Sequence, residues 1–178
     1  MDITKEIEAL SSQSSLLFVC PIEHLADSIN QAILLLSQKK LVGTYVSFNK
    51  PYKSLKKKLD ELGVDTSKIL FIDCIASSIG EAEQTQNVVH IHNPSDLTSL
   101  MIAINEFGES IASEKYLVID ALATLLIYNR EELVIKFVKS ILEDSLKHNL
   151  KVLMFTPDAK GSEFVNKISL FFDNIVRA

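Results

Sequence analysis

Glycine and proline are scarce in this chain, five and four among 178 residues, in a composition that is 47% hydrophobic. That scarcity excludes low-complexity and disordered readings, because so apolar a chain buries enough surface to fold. Cysteine is scarcer still. Cys20 and Cys74 have no metal-ligand spacing and make no disulfide framework, so a reducing, cytoplasmic setting is the default expectation. No apolar run approaches 18 residues, which argues against a membrane span. The opening Met1-Asp2-Ile3-Thr4-Lys5-Glu6 is polar where a cleavable leader needs an apolar centre. Absent too are an HExxH pair, a glycine-rich dinucleotide loop and a Ser-His-Asp elbow, and with them the commonest signatures of hydrolytic and redox enzymes. The length suits one domain over residues 1–178, with residues 1–13 as a helical edge element.

The formal net charge of −5 argues against nucleic-acid binding over the whole surface, but charge is unevenly spread. Between Lys39 and Lys68 eight lysines face only Asp60, Glu61 and Asp65. Lys53, Lys56, Lys57 and Lys58 circle the polar side of a helix whose other side carries Leu55, Leu59 and Leu62. Such a cluster is usually a solvated face. It otherwise suits an acidic partner or, less well for want of aromatic stacking residues, nucleic acid.

The hydrophobic pattern alternates strands and helices. Asp2 caps a short helix with Ile3, Ile7 and Leu10 on one side, before a serine-rich break at Ser11 to Ser15. Strands are expected at Leu16–Cys20, Val42–Phe48, Ile69–Asp73, Val88–His92, Tyr116–Asp120, Lys151–Thr156 and Asn174–Arg177. Between them come a helix to about Lys40, one from Pro51 to Gly63, one launched by Pro94 and Ser95, one over Glu131–His148 and one over Ser162–Phe172. Ser77–Asn87 reads as loop. The pattern predicts a three-layer α/β/α fold with a mainly parallel central sheet. In such sheets ligands lie at the carboxyl ends of the strands, where Cys20, Asp73, Asp120 and Thr156 gather.

The first strand leads into PIEHLADS, residues 21–28, where many α/β proteins hold a phosphate. On the template G-x-x-x-x-G-K-[ST], Pro21 and Ala26 replace the glycines, Asp27 the lysine, and only Ser28 keeps its hydroxyl. Pro21 removes a backbone donor and Ala26 resists positive φ. Asp27 puts an anion where a triphosphate needs a cation; two like charges about 4 Å apart repel by roughly 4 kcal/mol at an intermediate dielectric. Tight ATP binding in the usual pose is not expected.

The order of segments resembles the ATPase domain of the RecA superfamily, especially the KaiC-like branch and its smaller archaeal relatives. The resemblance rests on VGTYVSFNKPYKSLKKKLDELGVD, ILFIDCIASS, PSDLTSLMIAINEF, YLVIDALATLL and ISLFFDNIVRA, and covers about Leu16 to Ala178. It implies a RecA-like core in which Asp120 matches the Walker B acid and Ser28 the P-loop hydroxyl, a vestigial cofactor-binding pair. The catalytic Glu that the family commonly places after its second strand has no counterpart in Phe48-Asn49-Lys50-Pro51. With base, lysine and glycines missing together, the expectation is a pseudo-ATPase without catalytic residues, metal or cofactor, acting as an interaction or regulatory module with itself or an active relative as partner. The alternative is a nucleotide-binding protein with an altered, non-hydrolysing pose, Ser28 and Asp120 holding Mg²⁺ while local lysines replace the missing cation.

Three further features have ordinary readings. His90 and His92 suit one face of a strand and a metal, with Asp73 or Cys74 as a distant third ligand; partly exposed histidines at a strand end are the commoner case. Asp73 and Asp120 are expected to end neighbouring strands, as a carboxylate pair for Mg²⁺ or as caps of the following turns. Leu122–Tyr128 is more apolar than a strand end requires, which suits core packing or, where exposed, an oligomer contact.

Overall fold

The computed structural model describes residues 3–10, 14–75, 85–158 and 163–177. Seven parallel strands form one sheet in the order β4-β3-β2-β5-β6-β1-β7, where β1 is Ser15–Cys20, β2 Val42–Ser47, β3 Ile69–Asp73, β4 Val88–His90, β5 Lys115–Ile119, β6 Leu150–Pro157 and β7 Asn174–Arg177. Among the described residues seven α-helices cover it: α1 (Ile3–Ala9), α2 (Ile22–Gln38), α3 (Tyr52–Glu61), α4 (Leu97–Ser110), α5 (Leu122–Tyr128), α6 (Glu131–Lys147) and α7 (Glu163–Ser169). The expected three-layer α/β/α architecture is the observed one.

Alternation along each strand divides the core in two. Leu16, Phe18 and Cys20 of β1 pack with α1, α2 and α3, whereas Leu17 and Val19 pack with α4 to α7. Because both faces are covered, β1 and β5 are buried along their whole length, which is why they read as unbroken apolar runs. The tightest fit lies between β2 and β5. Gly43 pairs with Tyr116, and a Cβ built on Gly43 falls 2.0 Å from the Tyr116 ring, so the ring lies where any side chain would have to be.

At the amino edge two buried lysines fasten loops to the sheet. Lys115 Nζ donates to the carbonyls of Ile111 and, at 2.6 Å, His148; Lys151 Nζ donates to Leu10 O at 2.6 Å and meets Glu114 at 3.0 Å. Burial lowers the Lys115 pKa.

Several boundaries differ from expectation by one to three residues, as helix and strand ends commonly do. Two differences are larger. The helix after β1 starts at Ile22, with no connecting loop, and Leu122–Tyr128 is a helix of its own. The Asp2 cap, part of the Ser11–Ser15 break, most of the Ser77–Asn87 loop and the Ser162 helix start lie outside the described residues.

Candidate functional site

The carboxyl edge does gather Cys20, Asp73, Asp120 and Thr156, but not as the expected carboxylate pair. Asp73 and Asp120 do not end neighbouring strands: β2 lies between β3 and β5, hydrogen-bonded to both. Ser47 pairs with Asp73, and Val46 with Ile119, so the row across the edge runs Asp73, Ser47, Asp120.

From either side both acids grip the segment that leaves β2. Asp120, 2% exposed, accepts from the Phe48 amide at 2.7 Å through Oδ1, and through Oδ2 from the Ser47 hydroxyl at 2.9 Å and the Tyr45 hydroxyl at 3.4 Å. Asp73, 1% exposed, accepts from the Tyr52 amide at 2.6 Å and the Ile75 amide at 2.8 Å. Pro51 starts α3 but offers no side-chain cap, so the Asp73 carboxylate satisfies the helix's first amide from outside. Ser47 also closes the turn on itself: its hydroxyl accepts from the Lys50 amide at 3.2 Å, and Lys50 O, 2.8 Å away, competes with Asp120 for its single proton.

Burial raises the Asp120 pKa from 3.8 to about 6, opposed by the Phe48 amide, the Ser47 and Tyr45 hydroxyls and the Lys50 charge. The same burial, reinforced by the Asp120 charge, pushes the Tyr45 phenol well above its ordinary value. A carboxylate offers about four acceptor positions, and Asp120 has filled three. The backbone is strained one residue further on. Asp120 N donates to Val46 O at 3.1 Å, and the next residue, Ala121, sits at φ 45°, ψ 60° as it turns into α5. An L-residue there costs about 1–2 kcal/mol.

The segment 21–28 forms no loop. Pro21 alone separates β1 from α2, at φ −52° and ψ 142°, and His24 N already donates to Pro21 O at 3.0 Å. Ile22 to Ala26 are compatible with helix, and proline's fixed φ suits a helix start. Ser28 therefore lies in the second turn of α2. Its hydroxyl is hydrogen-bonded to the Cys20 thiol, whose pKa is nonetheless raised by burial. Ser28 does not line the cavity that reaches Asp120.

That cavity, about 120 Å³, lies between α2 and α3. Ile22, Leu25 and Ile29 form one side; Tyr45, Asn49, Lys50, Ser54 and Lys58 approach from the other, with Asp120 among the lining groups. Sequence reasoning singled out Lys58 and Asp120 but missed Lys50, Asn49 and Ser54. Their signal is the Asn49-Lys50 pair after a buried strand that ends in serine.

The remaining candidates separate. Asp73 Oδ2 lies 3.9 Å from His90 Nδ1, but β4 stops at His90 and His92 is exposed beyond it, so strand alternation does not align the two rings. Among the described residues no three His, Cys, Asp or Glu side chains are grouped to hold a metal. Lys56 pairs with Asp60 one turn on, while Lys53, Lys57 and Lys58 are exposed on α3. In α5, Leu122 and Leu125 are core, and Ile127 and Tyr128 are 75% and 46% exposed. Among the described residues no helix is long and apolar enough to cross a membrane.

A seven-stranded parallel sheet covered by helices on both faces is a RecA/KaiC-like fold, and comparison with solved structures agrees. A KaiC-like protein, PH0186, from the hyperthermophilic archaeon Pyrococcus horikoshii OT3 superposes with a TM-score of 0.67 over 93% of this chain and 70% of its own, at 12% identity. An uncharacterized Pyrococcus horikoshii protein, PH0321, solved in complex with an unknown peptide, matches at a TM-score of 0.75 over 98% of this chain and 81% of its own, at 13% identity. At such identities the likeness is one of fold. The chain belongs to DUF7090, a family of unknown function whose model matches residues 1–178. Comparison with curated proteins finds no significant sequence match.

Proposed function

We propose that this protein is a RecA/KaiC-like pseudo-ATPase, a domain that has given up phosphoryl transfer and serves as a protein-interaction or regulatory module. One observation carries the reading: α2 follows β1 after Pro21 alone, so residues 21–28, a degenerate counterpart of the Walker A sequence, have no loop with which to wrap a phosphate chain. The acids support it. Asp120 is engaged by Ser47, Phe48 and Tyr45, and Asp73 by Tyr52 and Ile75, so both acids hold the connection that launches α3.

The partner is a protein, a second copy or an active RecA-like relative. The exposed Ile127 and Tyr128 support this, as does the bound peptide of the PH0321 structure, though that concerns PH0321 alone. Nucleic acid is a weaker partner for the α3 lysines, because Lys56 is already paired and no aromatic series accompanies them. The expected result is no ATP turnover above background with Mg²⁺. A rate abolished by Asp120→Asn in protein that still melts cooperatively would overturn the proposal.

The presence of Lys50 and Lys58 beside Asp120 favours a second reading, nucleotide binding without hydrolysis. Thermal-shift measurements with ATP and ADP separate the two, since a ligand of the folded state raises its melting temperature.

A further inference from the structure

We infer that the cleft between α2 and α3 captures the carboxyl-terminal residue of a protein partner: the terminal carboxylate meets Lys50 and Lys58, and the apolar side chain beside it enters the cavity above Asp120. The inference deepens the interaction-module reading and rests on it.

The cleft is longer than the cavity that reaches Asp120. A second hollow of about 220 Å³, lined by Asp27, Gln31, Leu34 and Leu62, shares Asn30 and Lys58 with the first, so the two form one groove along the helix pair. Size restricts what enters the upper end. At about 120 Å³ it falls well below the roughly 300–1,000 Å³ of ordinary small-molecule sites. That upper end suits a single aliphatic side chain.

Chemistry selects the group at the mouth. Lys50 and Lys58 are exposed and enter no ion pair among the described residues, and the Ser54 hydroxyl and the Asn30 amide stand beside them. Two ammonium groups, a hydroxyl and an amide make a cluster of donors, the complement of a carboxylate. Beside the donors, Leu25, Ile29 and Leu55 supply an apolar wall, and Ile22, 67% exposed, adds apolar surface at the rim. The Asp120 oxygens face their own donors, Ser47, Phe48 and Tyr45, so the cavity floor offers little to an entering polar group and accepts an apolar one. A carboxylate and an apolar side chain on one carbon describe the end of a polypeptide. Below it, Asp27 and Gln31 face the course of the preceding residues, where they can accept from backbone amides, and Leu34 and Leu62 can pack side chains. Backbone and terminal groups captured in this way give affinity, and a pocket for one side chain gives specificity.

The test uses the full chain, ¹⁵N-labelled, titrated with a pool of N-acetylated pentapeptides that are random in the first four positions and end in leucine or isoleucine with a free carboxylate. The amides of Ala26, Asn30, Ser54 and Lys58 are expected to shift. Amidation of the peptides should weaken the effect about tenfold, and Lys58→Met should do the same without lowering the melting temperature. Equal binding of the amidated pool, shifts confined to other surfaces, or no shift at about 1 mM peptide would each overturn the inference. ATP turnover measured on the same sample keeps the two proposals apart. Peptide failure with no turnover removes only the docking site, and turnover with peptide bound in the cleft removes only the claim of inactivity.

Discussion

Asp73 and Asp120 occupy equivalent places on the two strands that flank β2, and each gives its carboxylate to the chain between Phe48 and Tyr52. The consequence is testable one residue at a time. Asp73→Ala leaves the Tyr52 and Ile75 amides without their acceptor and should cost about 1–3 kcal/mol in urea unfolding, the range for buried donors left unsatisfied. Asp120 makes a prediction with a sign. Its folded pKa of about 6 lies above the ordinary 3.8, so between these values the native state holds a proton that the unfolded chain has lost. Its contribution is therefore fully present below about pH 4 and declines as the pH rises through 6, by about 3 kcal/mol at most. Urea titrations of the wild type and Asp120→Asn should show the wild type losing ground to the variant from pH 4 to 7; a gain over that range would show that the hydrogen bonds outweigh burial. Two backbone positions complete the scale. Gly43→Ala drives a methyl group into the Tyr116 ring and should destabilise by about 1–3 kcal/mol, whereas Ala121→Gly relieves a left-handed alanine and should stabilise by about 1 kcal/mol.

Among the elements, the β2–α3 connection is held by both strand-end acids, and the β1–α2 junction consists of Pro21 alone. Amide exchange should find Phe48 and Tyr52 protected with the core strands although neither lies inside one, and Asp73→Asn should speed Tyr52 exchange more than Phe48. The strands were legible in the sequence because both faces of the sheet are covered, which turns β1, β3 and β5 into short apolar runs ending near a polar residue. The junction was less so. Laying a phosphate-loop template on PIEHLADS presupposes a loop, whereas Ile22 to Ala26 form a helix as soon as Pro21 fixes the entry. Helix α5 was missed for a different reason: seven residues of mixed burial, Leu122 and Leu125 inward and Ile127 and Tyr128 outward, give too short a period to distinguish from a strand extension. At the site, Asp120 could be named from its place after an apolar run. Its partners Ser47 and Tyr45 could not, because their roles depend on β2 being inserted between β3 and β5.

Over the whole molecule, the fold and the chemistry of its edge diverge. The seven-stranded parallel sheet with both faces covered has the RecA/KaiC-like fold, while at its carboxyl edge α2 follows β1 after Pro21 alone and Asp120 is bonded to Ser47 and Phe48. If the module acts through self-association, light scattering behind size exclusion should report an oligomer in the wild type. Charged substitutions at the exposed Ile127 and Tyr128 should then return it to a monomer without a stability cost. The most direct test of the central claim is isothermal calorimetry of the full chain with ATP and Mg²⁺. Lacking a loop at residues 21–28, the protein should give no saturable heat up to about 1 mM nucleotide. A single site of micromolar affinity, weakened when Ser28 is replaced by alanine, would contradict the account.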